Sequence, residues 1–123
     1  MISENIKILI DKLKKKTESG QAIWTKTSRD TEFKLELQKG AIVTDNWEDG
    51  QGFFVDLAIL NENGEIIERD FFNVNEEDYK TLYEVYLLAK NSYYKVDETL
   101  KTIFDELDSP KIVGKDKNKD LPF

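Results

Sequence analysis

The sequence predicts an α+β domain built from an N-terminal helix, an antiparallel meander of about five strands and two C-terminal helices that pack on the sheet or on a dimer mate. Three observations predict it. Apolar residues recur at helical spacing near the N-terminus and again after residue 75, while between Gly20 and Asn73 the apolar period falls to two. Every connection between the alternating runs is short, which suits antiparallel neighbours and leaves no room for crossovers. A chain of 123 residues fits one domain with a modest core. Residues 1–110 read as that domain and residues 111–123 as a flexible C-terminal tail.

Ser3 is placed to cap a helix over residues 4–16, in which Ile6, Leu9, Ile10 and Leu13 follow at i, i+3, i+4 and i+7. Lys14, Lys15 and Lys16 suit its C-terminal dipole end, and Gly20 is the expected terminator. Residues 21–27, with Ile23 and Trp24, read as a first strand, and residues 28–31 as a turn. Over residues 32–38, Phe33, Leu35 and Leu37 alternate with polar residues, the pattern of a half-buried strand. Lys39 and Gly40 form a tight turn into a strand over residues 41–46. The polar segment 46–52, which contains Trp47, Glu48 and Asp49, is expected as a hairpin loop. The next strand, residues 53–60, places Phe53, Val55, Leu57 and Ile59 on one face and Phe54, Asp56, Ala58 and Leu60 on the other. Residues 61–64 turn the chain, through Gly64, into a strand over residues 65–73. Asn75 is the expected N-cap of the next helix, with Glu76, Glu77 and Asp78 in its first turn and Tyr79, Leu82, Tyr83, Tyr86 and Leu87 on one stripe. A last helix carries Val96, Leu100, Ile103, Phe104 and Leu107, with Asp97 as its candidate cap and Ser109-Pro110 as its stop. Both stripes are core or dimer interface.

Composition excludes several chemistries. The chain has no Cys and no His, so disulfides, thiolate nucleophiles and imidazole bases or ligands are excluded. No nucleophile elbow, phosphate-cradling glycine loop or paired-ligand spacing occurs, so we expect no enzyme and no cofactor. Asp45, Glu48 and Asp49 cluster in the predicted loop without the glycine and terminal glutamate of a calcium loop, and read as solvated acids. No cationic-then-apolar leader opens the chain and no apolar run approaches the roughly 20 residues that span a bilayer. A cytoplasmic protein with no membrane contact is expected.

The net charge of −7 argues at first against nucleic acid. Its distribution is uneven. Residues 1–47 hold nine Lys or Arg against seven Asp or Glu (+2), residues 48–110 hold five against sixteen (−11), and residues 111–123 hold four against two (+2). A single strand needs aromatic platforms and cations on one surface. The candidates are Trp24 and Lys26 at i, i+2, Arg29 in the following turn, Lys34 and Lys39 on and after the second strand, Trp47 among polar residues, and Phe54 on the less apolar face of its strand. Trp24 reads also as a core residue, and Lys34 and Lys39 also as a plain solvated strand face.

Two resemblances bear on function. The final residues, Asp120-Leu121-Pro122-Phe123, resemble the acidic, hydrophobic, Pro-Phe tip of bacterial single-stranded DNA-binding proteins. Leu121 and Phe123 offer apolar plugs, Pro122 limits backbone freedom, and Asp120 offers an anion to a basic-rimmed pocket. The approach, residues 115–119, alternates Lys with Asp and Asn where that family has an acidic run. Residues 53–82 resemble the end of the positive-cofactor-four type of single-stranded DNA-binding domain, also found among phage proteins: a strand, the turn Asn63-Gly64-Glu65, a strand ending Phe71-Phe72-Asn73, and a capped helix with Tyr79 and Leu82. This resemblance implies a homodimer packed through helices, with sheets that grip DNA. The element order does not suit an oligonucleotide-binding barrel, which places its helix between strands.

The expectation is a phage-type single-stranded DNA-binding protein acting in replication or recombination, its sheet holding DNA and its tail recruiting host or phage replication and repair proteins. The alternative is a small acidic immunity, anti-defence or DNA-mimic protein that binds a protein partner through the −11 segment.

Overall fold

A helix, five strands and two helices follow one another in the computed structural model, which describes residues 2–115. They are α1 (Glu4–Glu18), β1 (Thr25–Lys26), β2 (Glu32–Leu37), β3 (Gly40–Asp49), β4 (Gly52–Asn61), β5 (Ile66–Asn73), α2 (Tyr79–Tyr94) and α3 (Val96–Leu107). The strands form one antiparallel sheet in the order β1-β2-β3-β4-β5, a meander in which each strand pairs with its neighbour in sequence. The predicted α+β class and element order are those of the structure.

The side chain of Ser3 accepts a hydrogen bond from the Ile6 amide at 3.3 Å and starts α1. The helix ends in a Schellman pair: the Gln21 amide donates to the Lys16 carbonyl at 3.0 Å and the Gly20 amide to the Thr17 carbonyl at 3.1 Å. That closure needs a left-handed residue, and Gly20 sits at φ +76°. A second glycine is required by contact. A Cβ at Gly40 would lie 2.7 Å from the Leu60 carbonyl oxygen, where β3 and β4 begin their pairing.

Alternation along the strands sorts the sheet into two faces. Phe33, Leu35, Ile42, Val55, Leu57 and Phe72 point to the helices and join Ile6, Ile10 and Leu13 of α1 and Leu82, Val85, Tyr86 and Ala89 of α2 in one core. Each such large side chain contributes about 1.5–3 kcal/mol of hydrophobic stabilisation. Helix α2 packs on β2 through β5, and α1 packs on α2. Trp24 seals the edge of this core, its indole Nε1 donating to Thr17 Oγ1 at 3.0 Å. No helix among the described residues is long and apolar enough to cross a membrane.

The structure corrects four local expectations. The first strand is two residues long, because Ala22 and Trp24 are buried in irregular backbone ahead of it. The hairpin loop expected over 46–52 is only a turn at Gly50 and Gln51: β3 runs to Asp49 and β4 starts at Gly52, so Trp47 lies on a strand, opposite Phe54. Asn75 is not the N-cap of α2. The side chain of Asn73 accepts the Asn75 amide at 2.9 Å and Glu76 Oε1 accepts the Asn73 amide at 2.9 Å, which forms a turn and delays the helix to Tyr79. Asp97 lies inside α3, which follows α2 after a single left-handed residue, Lys95, at φ 54°.

Candidate functional site

The face of the sheet turned away from α1 and α2 carries Val43, Asp45 and Trp47 on β3, Phe54, Asp56, Ala58 and Leu60 on β4, and Arg69 and Phe71 on β5. The short side chains of Val43 and Ala58 are buried at its centre, and long ones rise around them. The result is a cavity of about 500 Å³, with Arg29 and Glu32 on one side and Trp47, Leu60, Ile66 and Arg69 on the other.

Two carboxylates form its floor. Asp45 and Asp56 are direct cross-strand partners and both are buried. Like charges so placed repel, and each has an arginine. Arg29 Nη2 lies 2.8 Å from Asp45 Oδ2, and Arg69 Nε donates to Asp56 Oδ2 at 2.9 Å. Thr31 Oγ1 donates to Asp45 Oδ1 at 2.6 Å, and the Asp45 amide donates to Asp56 Oδ1 at 2.9 Å. Burial pushes the Asp56 carboxyl up to about 6 and Asp45 adds to the rise, while the hydrogen bond and charge of Arg69 oppose it.

Beside the carboxylates lies a layer of flat groups. Trp47 stacks on Phe54 with ring centroids 5.5 Å apart and planes 15° apart. The Arg69 guanidinium carbon lies 5.6 Å from the Trp47 centroid and 5.0 Å from that of Phe71. Trp47 and Phe54 are half-buried and Phe71 is exposed, so the layer presents aromatic surface to solvent.

Of the residues singled out from sequence, the structure brings Arg29, Trp47 and Phe54 together on this face. Lys34 shares the face, but its ammonium lies 2.9 Å from Glu36. Trp24 is core, 4% exposed, and presents no surface for a base. Lys26 belongs to the other face, in register with Phe33, and its ammonium lies 3.2 Å from the Tyr94 hydroxyl, a hydrogen bond that raises its pKa. Lys39 is exposed in the β2–β3 turn, at the end of β3 remote from Trp47. Asp120, Leu121, Pro122 and Phe123 lie outside the described residues. Asp45 turns into the sheet instead of joining Glu48 and Asp49, and no group of acidic side chains that could hold a metal ion occurs among the described residues.

Asp56, Arg69 and Phe71 were not among the candidate binding residues, and Asp45 was expected only as a solvated loop acid. Alternation did put Asp56 beside Phe54, and extending the antiparallel pairing into β5 would have brought Arg69 and Phe71 to the same face. The register shift between Ile59 and Leu60 hides that alignment from a simple count. No family model, curated protein or solved structure matches the chain.

Proposed function

We propose that this chain is a single-stranded DNA-binding protein acting in DNA replication or recombination, and that the helix-free face of its sheet holds the strand. The observation that carries this reading is the layer Phe54, Trp47, Arg69 and Phe71, with Arg29 lining the same cavity, on the face the core does not use. Bases stack on aromatic faces and on guanidinium planes irrespective of sequence, each contributing about 1–3 kcal/mol, and Arg29 and Arg69 offer donors to the backbone. The activity is binding without catalysis, in the cytoplasm, by a homodimer. The tip Asp120-Leu121-Pro122-Phe123 docks replication or repair proteins of host or phage.

Oligo-dT titrated at low salt tests it. Trp47 emission should change, since Trp24 is buried, a retarded band should appear on a gel, and Trp47→Ala should weaken binding by about 5- to 150-fold. Unchanged emission together with no retarded band contradicts the reading. The second reading, an acidic immunity, anti-defence or DNA-mimic protein, is favoured by α3. Its Leu100, Ile103, Phe104 and Leu107 are all exposed, next to Asp97, Glu98, Asp105 and Glu106. That reading predicts a basic protein partner and no response to oligo-dT.

A further inference from the structure

We propose that the cavity between Arg29 and Arg69 is a phosphate site, and that the buried carboxylates Asp45 and Asp56 are the positioning residues that set its two guanidinium groups. The identity of the anion as a backbone phosphate rests on the nucleic-acid reading of this face; the anion site itself does not.

Four charged groups lie in a line across the sheet. Arg29, from the turn before β2, meets Asp45 on β3; Asp45 stands opposite Asp56 on β4; Asp56 meets Arg69 on β5. The two arginines, forty positions apart in sequence, thus line one cavity. Each is held through one nitrogen, Nη2 of Arg29 and Nε of Arg69. No other hydrogen bond or ion pair engages either guanidinium among the described residues. A guanidinium has five N–H donors in a rigid fork, so most of the donors remain for a ligand, and both terminal nitrogens of Arg69 are among them. Their side chains are 58% and 41% exposed, against 3% and 8% for the carboxylates. The anions sit beneath and the cations face the solvent.

The carboxylates are themselves fixed. Thr31 holds Asp45 and the Asp45 amide holds Asp56, while Trp47 and Phe71 confine the plane of Arg69. Such support orients a binding group before the ligand arrives. Glu32 also lines the cavity, so its two arginines stand against three carboxylates, and recognition here depends on bidentate hydrogen bonding to a tetrahedral oxyanion and not on net potential. Inorganic phosphate should bind weakly, and chloride should not substitute for it.

Two probes test this on the full chain. Sodium phosphate, compared with sodium chloride at matched ionic strength, should change Trp47 emission saturably, and Arg69→Lys, which keeps a cation beside Asp56 but loses the fork, should abolish the response while retaining the wild-type circular dichroism. With oligo-dT, Arg29→Gln should lower affinity and reduce the slope of log affinity against log salt by about 0.7. Asp56→Asn gives a test of opposite sign. It makes the protein more positive, so charge alone would tighten oligo-dT binding, whereas positioning predicts about 10-fold weaker binding. Tighter binding by Asp56→Asn overturns the positioning role. Oligo-dT binding that neither Arg29→Gln nor Arg69→Lys alters overturns the phosphate site and leaves the nucleic-acid reading standing. A phosphate-specific response without oligo-dT binding supports the site and rejects DNA as the source of the anion. No response to phosphate overturns the site.

Discussion

Asp56 combines burial with a charge, and its consequence for stability has a definite sign. Burial raises its carboxyl from 3.8, the value of an unperturbed group, to about 6 in the folded chain. Between these values the folded protein holds a proton that the unfolded chain has released. The contribution of this group is therefore fully present below about pH 4 and is lost as pH rises through about 6, a change on the order of 1–3 kcal/mol. Urea denaturation of wild type and Asp56→Asn at pH 7 and pH 5 checks it: the stability of wild type relative to the variant should rise at pH 5. An unchanged difference would contradict the burial account. Single residues were the least legible part of the sequence. Trp24 follows Ile23 and precedes Thr25, Trp47 stands between Asn46 and Glu48, and one closes the core through Thr17 while the other stacks on Phe54 outside it. Spacing cannot separate these fates, because the choice depends on where α1 ends and on which β4 residue faces β3. Asp45 likewise has the composition of a loop acid, and only its pairing with Asp56 reveals a buried one.

The elements divide by how much of their apolar surface is covered. Leu82 of α2 is fully buried, and Leu82→Ala should cost about 2–5 kcal/mol in urea denaturation. Phe104 of α3 is 56% exposed, and Phe104→Ala should change the monomer's stability by less than about 0.5 kcal/mol. That figure is for the separated chain; in the homodimer we propose, a second copy covers α3, so the loss at Phe104 should grow with protein concentration, and a loss that stays small at every concentration would contradict the homodimer. Helix spacing and strand alternation were readable wherever one face is buried, as in α1, β2, β4 and α2, because burial imposes the period. The hairpin loop between β3 and β4 was drawn too long because Asn46, Glu48 and Asp49 have turn chemistry, while ten-residue strands on either side keep pairing through them up to the turn at Gly50 and Gln51. Helix α3 follows the period although none of its residues is buried. Its stripe could be read from sequence, but its exposure could not.

At the scale of the molecule, the core and the candidate site occupy opposite faces of one sheet. Helices α1 and α2 cover one, and the arginine and aromatic layer lies on the other. The formal charge of −7 coexists with this because many of the acids lie on the helices and turns, and those beneath the site are paired. The number of available cations limits salt dependence. With Arg29 and Arg69 as the principal phosphate contacts, the slope of log affinity against log salt for oligo-dT should be about −1.4, and a slope several times steeper would place the binding elsewhere. Fold class and element order were legible in the sequence because every connection is short and every period is clear. The composition of the open face was not, since it joins residues of the β1–β2 turn with three strands across a shifted register. The most direct test is a map of backbone amide shifts on adding oligo-dT to the isotope-labelled chain. Shifts concentrated on Trp47, Phe54, Asp56, Arg69, Phe71 and the turn at Arg29 are predicted, with α1 and α2 unmoved. Shifts confined to α3, or none at all, would contradict the account.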